Sequence, residues 1–473
     1  MGMVEVPMLA EVAQEAPAVR GPRPLRSPRP AAAGPFRTVW RWHFYAGMIV
    51  TPFLVIVALT GALFIFEPEI MRAAHARLMT VPPGPASVGA RAMVEAAVRD
   101  QPGQMPIVLA LGHEPDRAAV VLFGNRERSI QVFVDPRTGR VLGSVDDSRD
   151  PVAILMRATL KLHRQLFLGT TGRIFVELAT GWTVVLLVSG IYLWWPRRHE
   201  KVKGVWKVRW SGAKPYTRLR DLHSVSGAYL MPVALVIAVT GHFYTLGWGT
   251  GARYAMGAVP PASKAKPAAG GQAPAPAKVA EIPPGLDRIV AETRALYPDR
   301  VIRVPLAATP DRFAPELGKT VAATAMNRYE SGAYGPIRGA LVTCRPEDGS
   351  VISHRSMAEK TDRWVQSWAY PLHVGSIAGL PSKLIWLAAC LVLAALPVTG
   401  VWMWWQRRPK GRLGLPRRPE AAIPAWLGAT VTALSLFYPA VGLSALLLVS
   451  CEFAWTRSAR LLARRRGIGA ASA

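Results

Sequence analysis

The sequence is short of acid and nearly empty of cysteine. It has 30 aspartates and glutamates against 57 lysines and arginines, a formal net charge of +27 over 473 residues. Its three cysteines, Cys344, Cys390 and Cys451, lie far apart, so no CxxC pair offers a zinc or iron–sulfur site. Small buried side chains are expected at all three. No GxGxxG follows a strand pattern, no P-loop is present, and neither HExxH nor a nucleophile elbow occurs. Nucleotide-driven transport and hydrolysis therefore lack a site. Acids that could form a relay inside an apolar segment are few, since Glu177 and Glu452 stand alone. That argues against ion or siderophore permeation. The first 36 residues lack the apolar core of a signal peptide and read as a disordered Pro/Ala/Arg tail.

What the chain does have is long uncharged apolar runs. Hydrophobic residues make up 51% of it, and runs at 44–66, 174–195, 222–246 and 384–405 each approach the roughly 20 residues that a membrane-crossing helix needs. The basic excess sits beside the ends of these runs. Six arginines from Arg20 to Arg41 precede the first, and Arg197, Arg198, Lys201, Lys203, Lys207, Arg209, Lys214, Arg218 and Arg220 crowd the loop after the second. Membrane topology explains this without nucleic acid, and it puts the N-terminus and the basic loop in the cytoplasm. A further run, 425–453, is expected as one helix kinked at Pro439, because as a hairpin its arms would be only about 14 residues each.

The spans repeat. At an offset of 180, six of the 25 positions between 40 and 64 are identical: His43/His223, Gly47/Gly227, Pro52/Pro232, Ala58/Ala238, Thr60/Thr240 and Gly61/Gly241. At an offset of 210, eleven of 37 positions from Leu162 to Arg198 are identical, among them His163/His373, Gly169/Gly379, Gly190/Gly400, Trp194/Trp404 and Trp195/Trp405. Apolar helices resemble one another by chance in Leu and Val, not in His, Gly and Pro. The chain is an internal duplication, and the Pro/Ala/Gly linker at 257–284 accounts for the 30-residue growth in offset.

The loops between paired spans read as small α+β modules. "GARAMVEAAVRDQP" and "LDRIVAETRALYPDR" are helical in period, and the strand-like stretches that follow share Pro136/Pro346, Gly139/Gly349 and Val141/Val351. The expected architecture is an all-α transmembrane helix bundle, four core helices from the duplication plus a C-terminal membrane helix, with two small periplasmic α+β modules. Its segments are a tail (1–36), first span (37–70), first module (71–160), second span with its approach (161–198), basic loop (199–219), third span (220–247), second module (248–370), fourth span with its approach (371–408), C-terminal helix (423–456) and basic tail (457–473).

A His near the start of span one, the "VFVDPRTGRV" hairpin, the "LHRQLFLGTTG" approach to span two and the closing "GIYLWWPRR" together resemble the PepSY-associated transmembrane family. The likeness runs over about residues 36–410. It implies a bacterial inner-membrane protein, multi-pass, with PepSY-like modules in the periplasm. It also implies kinship with iron-regulated proteins and ferrisiderophore reductases that carry b-type haem and reduce periplasmic ferric chelates.

With the N-terminus inside, His43 and His223 form a cytoplasmic-side pair and His163 and His373 a periplasmic-side pair. Repeats in one orientation are related by an axis along the membrane normal, which sets equivalent residues across the bundle from each other. Imidazole is a standard axial ligand of haem iron, so two haem b groups, one near each face, are expected on these four residues. The plain alternative is polar residues at helix ends, but four histidines kept through a duplication weigh against it. His242, aligned with Ala62, breaks the symmetry and stands as an alternative outer ligand, with His75 behind it. His113, His199 and His354 read as solvent-facing. The Trp pairs read as interface anchors rather than relays, and topology accounts for the basic loop without a docking role.

Together with the paired histidines, the resemblance implies an oxidoreductase that takes electrons from an unnamed cytoplasmic or membrane donor to a ferric siderophore or other ferric chelate. A different class remains open: a non-enzymatic envelope protein whose modules bind or regulate a periplasmic partner or peptidase.

Overall fold

Uncharged segments of this length cross lipid as helices, because each backbone N–H and C=O then finds its partner within the segment. The computed structural model describes residues 33–124, 129–196, 204–256, 282–307, 309–310, 319–326, 339–356, 368–416 and 424–465. In chain order the elements are α1 (Ala33–Phe64), α2 (Glu67–Ala74), α3 (Ala76–Met79), α4 (Ala90–Asp100), β1 (Pro106–Leu111), β2 (Ala119–Gly124), β3 (Ser129–Val134), β4 (Val141–Asp146) and α5 (Pro151–Gln165). Then come α6 (Gly169–Trp194), α7 (Pro215–His242), α8 (Trp248–Ala255), α9 (Leu286–Leu296), β5 (Val301–Pro305), β6 (Thr309–Pro310), β7 (Lys319–Met326), β8 (Ala340–Cys344) and β9 (Val351–Ser356). The chain closes with α10 (Tyr370–Val374), α11 (Leu380–Arg407), α12 (Ala425–Phe437) and α13 (Pro439–Arg465).

Four helices, α1, α6, α7 and α11, are long and apolar enough to span a membrane. They form a closed ring in which α1 and α7 each pack on α6 and α11. The duplicated helices therefore stand diagonally opposite, α1 across from α7 and α6 across from α11. Small side chains allow the close approach: Ala58, Ala234 and Ala394 meet Leu187 and Leu393 in one buried layer across the bundle.

Between α1 and α5, and again between α8 and α10, the chain leaves the bundle and builds sheet. Two separate modules are expected from the sequence, whereas the structure joins their strands into one antiparallel sheet of order β4-β3-β2-β1-β5-β7-β8-β9, with β6 on β7. The seam is the β1–β5 pair, from Val108↔Pro305 to Leu111↔Ile302. Alternation makes one face of β2 apolar at Ala119, Val121 and Phe123. Onto that face pack α4, through Ala90, Met93, Val94 and Ala97, and α9, through Leu286 and Ile289. Burying each larger apolar side chain contributes about 1.5–3 kcal/mol, and α4 buries its stripe on β1 to β4 while α9 buries its own on β5 and β7. Cys344 belongs to this core, and burial pushes its thiol up to about 11. That leaves it protonated and inert.

Two further features differ from expectation. The last apolar run is not one kinked helix but two, α12 and α13. Tyr438 leaves helical geometry at φ −116° and ψ 81°, because a residue before proline is pushed toward extended conformations. Beyond this break Leu443, Leu446 and Leu447 are exposed, and so is Cys451, in contrast to the buried Cys344 and Cys390. The parts of the expected tail, loop, linker and C-terminus at 1–32, 197–203, 257–281 and 466–473 lie outside the described residues.

Two acids within the spanning helices have structural partners. Glu177, inside α6, accepts from the backbone N–H groups of Gly247 and Trp248 at 2.7 and 2.9 Å, capping α8. Asp221, fully buried in α7, is gripped by Arg209 at 2.6 and 2.7 Å, which folds the basic loop back on the bundle. Trp194 and Trp404 tie the same end down, each donating to a carbonyl in the loop that follows, Val205 and Leu413, at 2.8 Å.

Candidate functional site: two tiers of paired histidines

A histidine beside an apolar helix needs a polar partner and room for its ring. In this chain one dipeptide supplies both, four times over: Ser or Thr followed by Gly. His43 on α1 meets Ser189-Gly190 on α6, and His223 on α7 meets Thr399-Gly400 on α11. At the sheet end, His163 on α5 meets Thr60-Gly61 on α1, and His373 on α10 meets Thr240-Gly241 on α7. The glycines make room for the rings, tightly at the sheet end and loosely at the other. A Cβ would stand 2.9 Å from His373 Cε1 at Gly241, 3.1 Å from His163 at Gly61, 3.4 Å from His43 at Gly190 and 3.7 Å from His223 at Gly400.

The hydrogen bonds decide which ring nitrogen carries the proton. His163 Nδ1 lies 2.9 Å from the Val57 carbonyl and His373 Nδ1 3.0 Å from that of Ile237. A carbonyl only accepts, so Nδ1 donates in both. At the other end His43 Nδ1 lies 2.9 Å from Ser189 Oγ and His223 Nδ1 2.9 Å from Thr399 Oγ1. Those hydroxyls give their own protons to the carbonyls of Leu186 and Leu396, at 3.2 and 2.8 Å, and so they accept from the rings. Every one of the four imidazoles is held in the tautomer that keeps a lone pair on Nε2. A second-sphere bond of this kind is what orients a metal-ligating histidine.

The outer rings also come together as symmetry requires. His163 and His373 face each other at 6.2 Å between centroids, with planes inclined at 55°. His43 lies within electrostatic reach of His223. Along α1, the 17 residues from His43 to Thr60 separate the tiers by about 26 Å at 1.5 Å per residue, most of the roughly 30 Å of a hydrocarbon core.

The fit to the implied haem is testable on these distances. A metal–imidazole bond of about 2 Å, plus about 1 Å from nitrogen to ring centre, sets two axial imidazoles roughly 6 Å apart, which is the separation of the outer pair. They open on a cavity of about 570 Å³ whose wall includes Gly61, Gly241 and Leu393 and whose roof is Leu122 and Gln131, from the face of β2 and β3 turned away from α4. That volume falls in the range of ligand pockets, about 300–1,000 Å³. Among the described residues no group of three or more His, Cys, Asp or Glu could hold a metal ion. A metal between two imidazoles would take its remaining ligands from a macrocycle. The residues of the outer tier fit the group.

His242 is elsewhere. It is 1% exposed, its Nδ1 lies 3.3 Å from the Ala238 carbonyl, and its ring sits between Trp248 and Tyr438, outside the cavity wall. His75 lies against Asp150, the residue that caps α5, at 3.3 Å. His354 is exposed beside Tyr297, at 3.3 Å, and His199 lies outside the described residues. Sequence reasoning missed the seats. Thr60-Gly61 and Thr240-Gly241 are visible as repeat matches, but Ser189 and Thr399 differ in identity, and only their shared hydroxyl marks them as equivalent.

No curated protein matches the chain. The family model described as the PepSY-associated TM region matches residues 40–407. With four membrane-length helices in a duplicated bundle and a match over well more than half its length, this multi-pass membrane protein belongs to the family of the PepSY-associated TM region.

Proposed function

We propose that the protein is a b-type di-haem oxidoreductase of the bacterial inner membrane that passes electrons outward to a periplasmic ferric chelate. The observation that carries the reading is the outer pair: two imidazoles at 6.2 Å, each with Nδ1–H engaged and Nε2 free to bind iron. Haem, when bound, supplies a one-electron couple at its iron. The protein's own residues do the rest. His163 and His373 hold the outer position, and His43 and His223 the inner one. The buried layer of Ala58, Leu187, Ala234 and Leu393 puts apolar side chains between the tiers. Arg37 and Arg41 near the start of α1 and Arg209, Arg218 and Arg220 before and within α7 lie at the end opposite the sheet, and the positive-inside tendency supports a cytoplasmic side for that end and a periplasmic side for the sheet. Each turnover takes one electron from an external reductant, a flavin, a nicotinamide-dependent reductase or a quinol, and converts one ferric ion of the chelate to ferrous.

The test is a reduced-minus-oxidised spectrum of the full chain purified from haem-replete cells. A b-type signal that diminishes in His43→Ala, His223→Ala, His163→Ala and His373→Ala supports the reading. A colourless, fully folded preparation sinks it.

A further inference from the structure

The duplication is broken at one place beside the outer histidines. By the 210 offset Arg173 corresponds to Lys383, and by the 180 offset Glu69 corresponds to Gly249. Lys383, 5% exposed, is neutralised by Glu69 at 2.6 Å. Arg173 has inherited no such acid. Arg164, the residue after His163, corresponds to Val374, so one half of the site carries two arginines where the other carries a closed ion pair and a valine.

Both arginines line the cavity that His163 and His373 share. Among the described residues neither makes a hydrogen bond or an ion pair. Burial first, and then the like charge of Arg173, work against the charged form of the Arg164 guanidinium. Arg253 adds a third like charge within reach of both. Unpaired cations gathered against an apolar wall are costly, and a planar guanidinium is matched in geometry by a carboxylate. On the far side α11 contributes the apolar Cys390 and Leu393, and the charges that also line the cavity there are Lys383, already closed by Glu69, and Glu67 of α2.

We infer that Arg164 and Arg173 form a two-pronged carboxylate seat for the ligand held between His163 and His373, turning its carboxylate edge toward α5 and α6 and its apolar edge toward α11. The inference rests on the haem reading of the outer tier and adds to it the direction in which the porphyrin faces. A symmetric pair of histidines cannot choose between the two orientations; the unpaired charges can.

The test compares haem with its dimethyl ester, which keeps the ring and iron and lacks the carboxylates. The full chain, made in haem-deficient cells and loaded with either porphyrin, is mixed with excess apomyoglobin, and porphyrin loss from the outer tier is followed optically. Wild type should release the ester roughly tenfold faster than haem, the scale of a charged hydrogen bond. The Arg164→Gln/Arg173→Gln protein should release both at the fast rate, and Arg164→Lys/Arg173→Lys should recover part of the difference. Equal retention of ester and haem by wild type, which needs no variant to fold, overturns the seat while leaving the haem reading intact. A wild-type chain that takes up neither porphyrin overturns both.

Discussion

At the sheet end of the bundle, His163 and His373 project from α5 and α10, outside the spans, and give Nδ1–H to the carbonyls of Val57 and Ile237. At the opposite end, His43 and His223 belong to the spans themselves and give theirs to the hydroxyls of Ser189 and Thr399. The same dipeptide underlies both tiers, yet the outer rings lean on backbone, while His43 leans on the Ser189 hydroxyl and His223 on the Thr399 hydroxyl together with the Leu396 carbonyl. Backbone acceptors survive any substitution, whereas hydroxyls do not. The outer tier is therefore anchored by the fold, and the inner tier depends more on two particular residues, Ser189 above all.

The largest effect should come from the rings. His163→Ala or His373→Ala should remove the outer share of the b-type signal and leave the inner share, with the reverse for His43→Ala or His223→Ala. Loss of the whole signal from one substitution would show that the tiers do not load independently.

The contrast between acceptors sharpens next. Ser189→Ala or Thr399→Ala should loosen cofactor at the inner tier by about tenfold, the lower end of what second-sphere changes cost a metal site. Thr60→Ala or Thr240→Ala should change outer retention little, since the carbonyls remain. Titrating cofactor into the four variants compares them, and equal losses at both ends would erase the distinction.

The glycine seats grade the comparison more finely. Gly241→Ala, with a Cβ 2.9 Å from His373, must displace the ring, at a cost of about 0.5–1.5 kcal/mol if the side chain leaves its rotamer. Gly400→Ala, at 3.7 Å from His223, meets only ordinary contact. The reduced band of the outer tier should shift in the first variant and that of the inner tier stay in place in the second. Last, His242→Leu should leave both signals unchanged, because His242 is boxed by Trp248 and Tyr438 away from either pair.

Much of this was legible in the residues. Helices of 26 to 32 residues formed where the apolar runs stand, since length and lack of charge leave lipid-spanning backbone one way to satisfy itself. The matched histidines were visible as repeat identities, and their pairing across the bundle followed from two copies in one orientation. The place of His242 was not visible. It ends span three much as the paired histidines adjoin their spans, and it is enclosed by Trp248 of α8 and by Tyr438, which arrives from the break between α12 and α13. Nor was the shared sheet visible, because β1 and β5 pair across about 190 residues of intervening chain, and a strand's pattern of alternation says which face is buried without naming its neighbour.

By itself, the order of amino acids determined the spans, the duplication and the set of four histidines, because each depends on properties read within one segment or at a constant offset. Tertiary structure alone decided that Ser189 and Thr399 orient the inner rings, that the two sheets become one, and that Arg164 and Arg173 line the outer cavity outside any ion pair among the described residues while Lys383 meets Glu69. Those are contacts between segments up to 314 residues apart, and close packing, rather than any local preference, sets which side chains arrive at the same place.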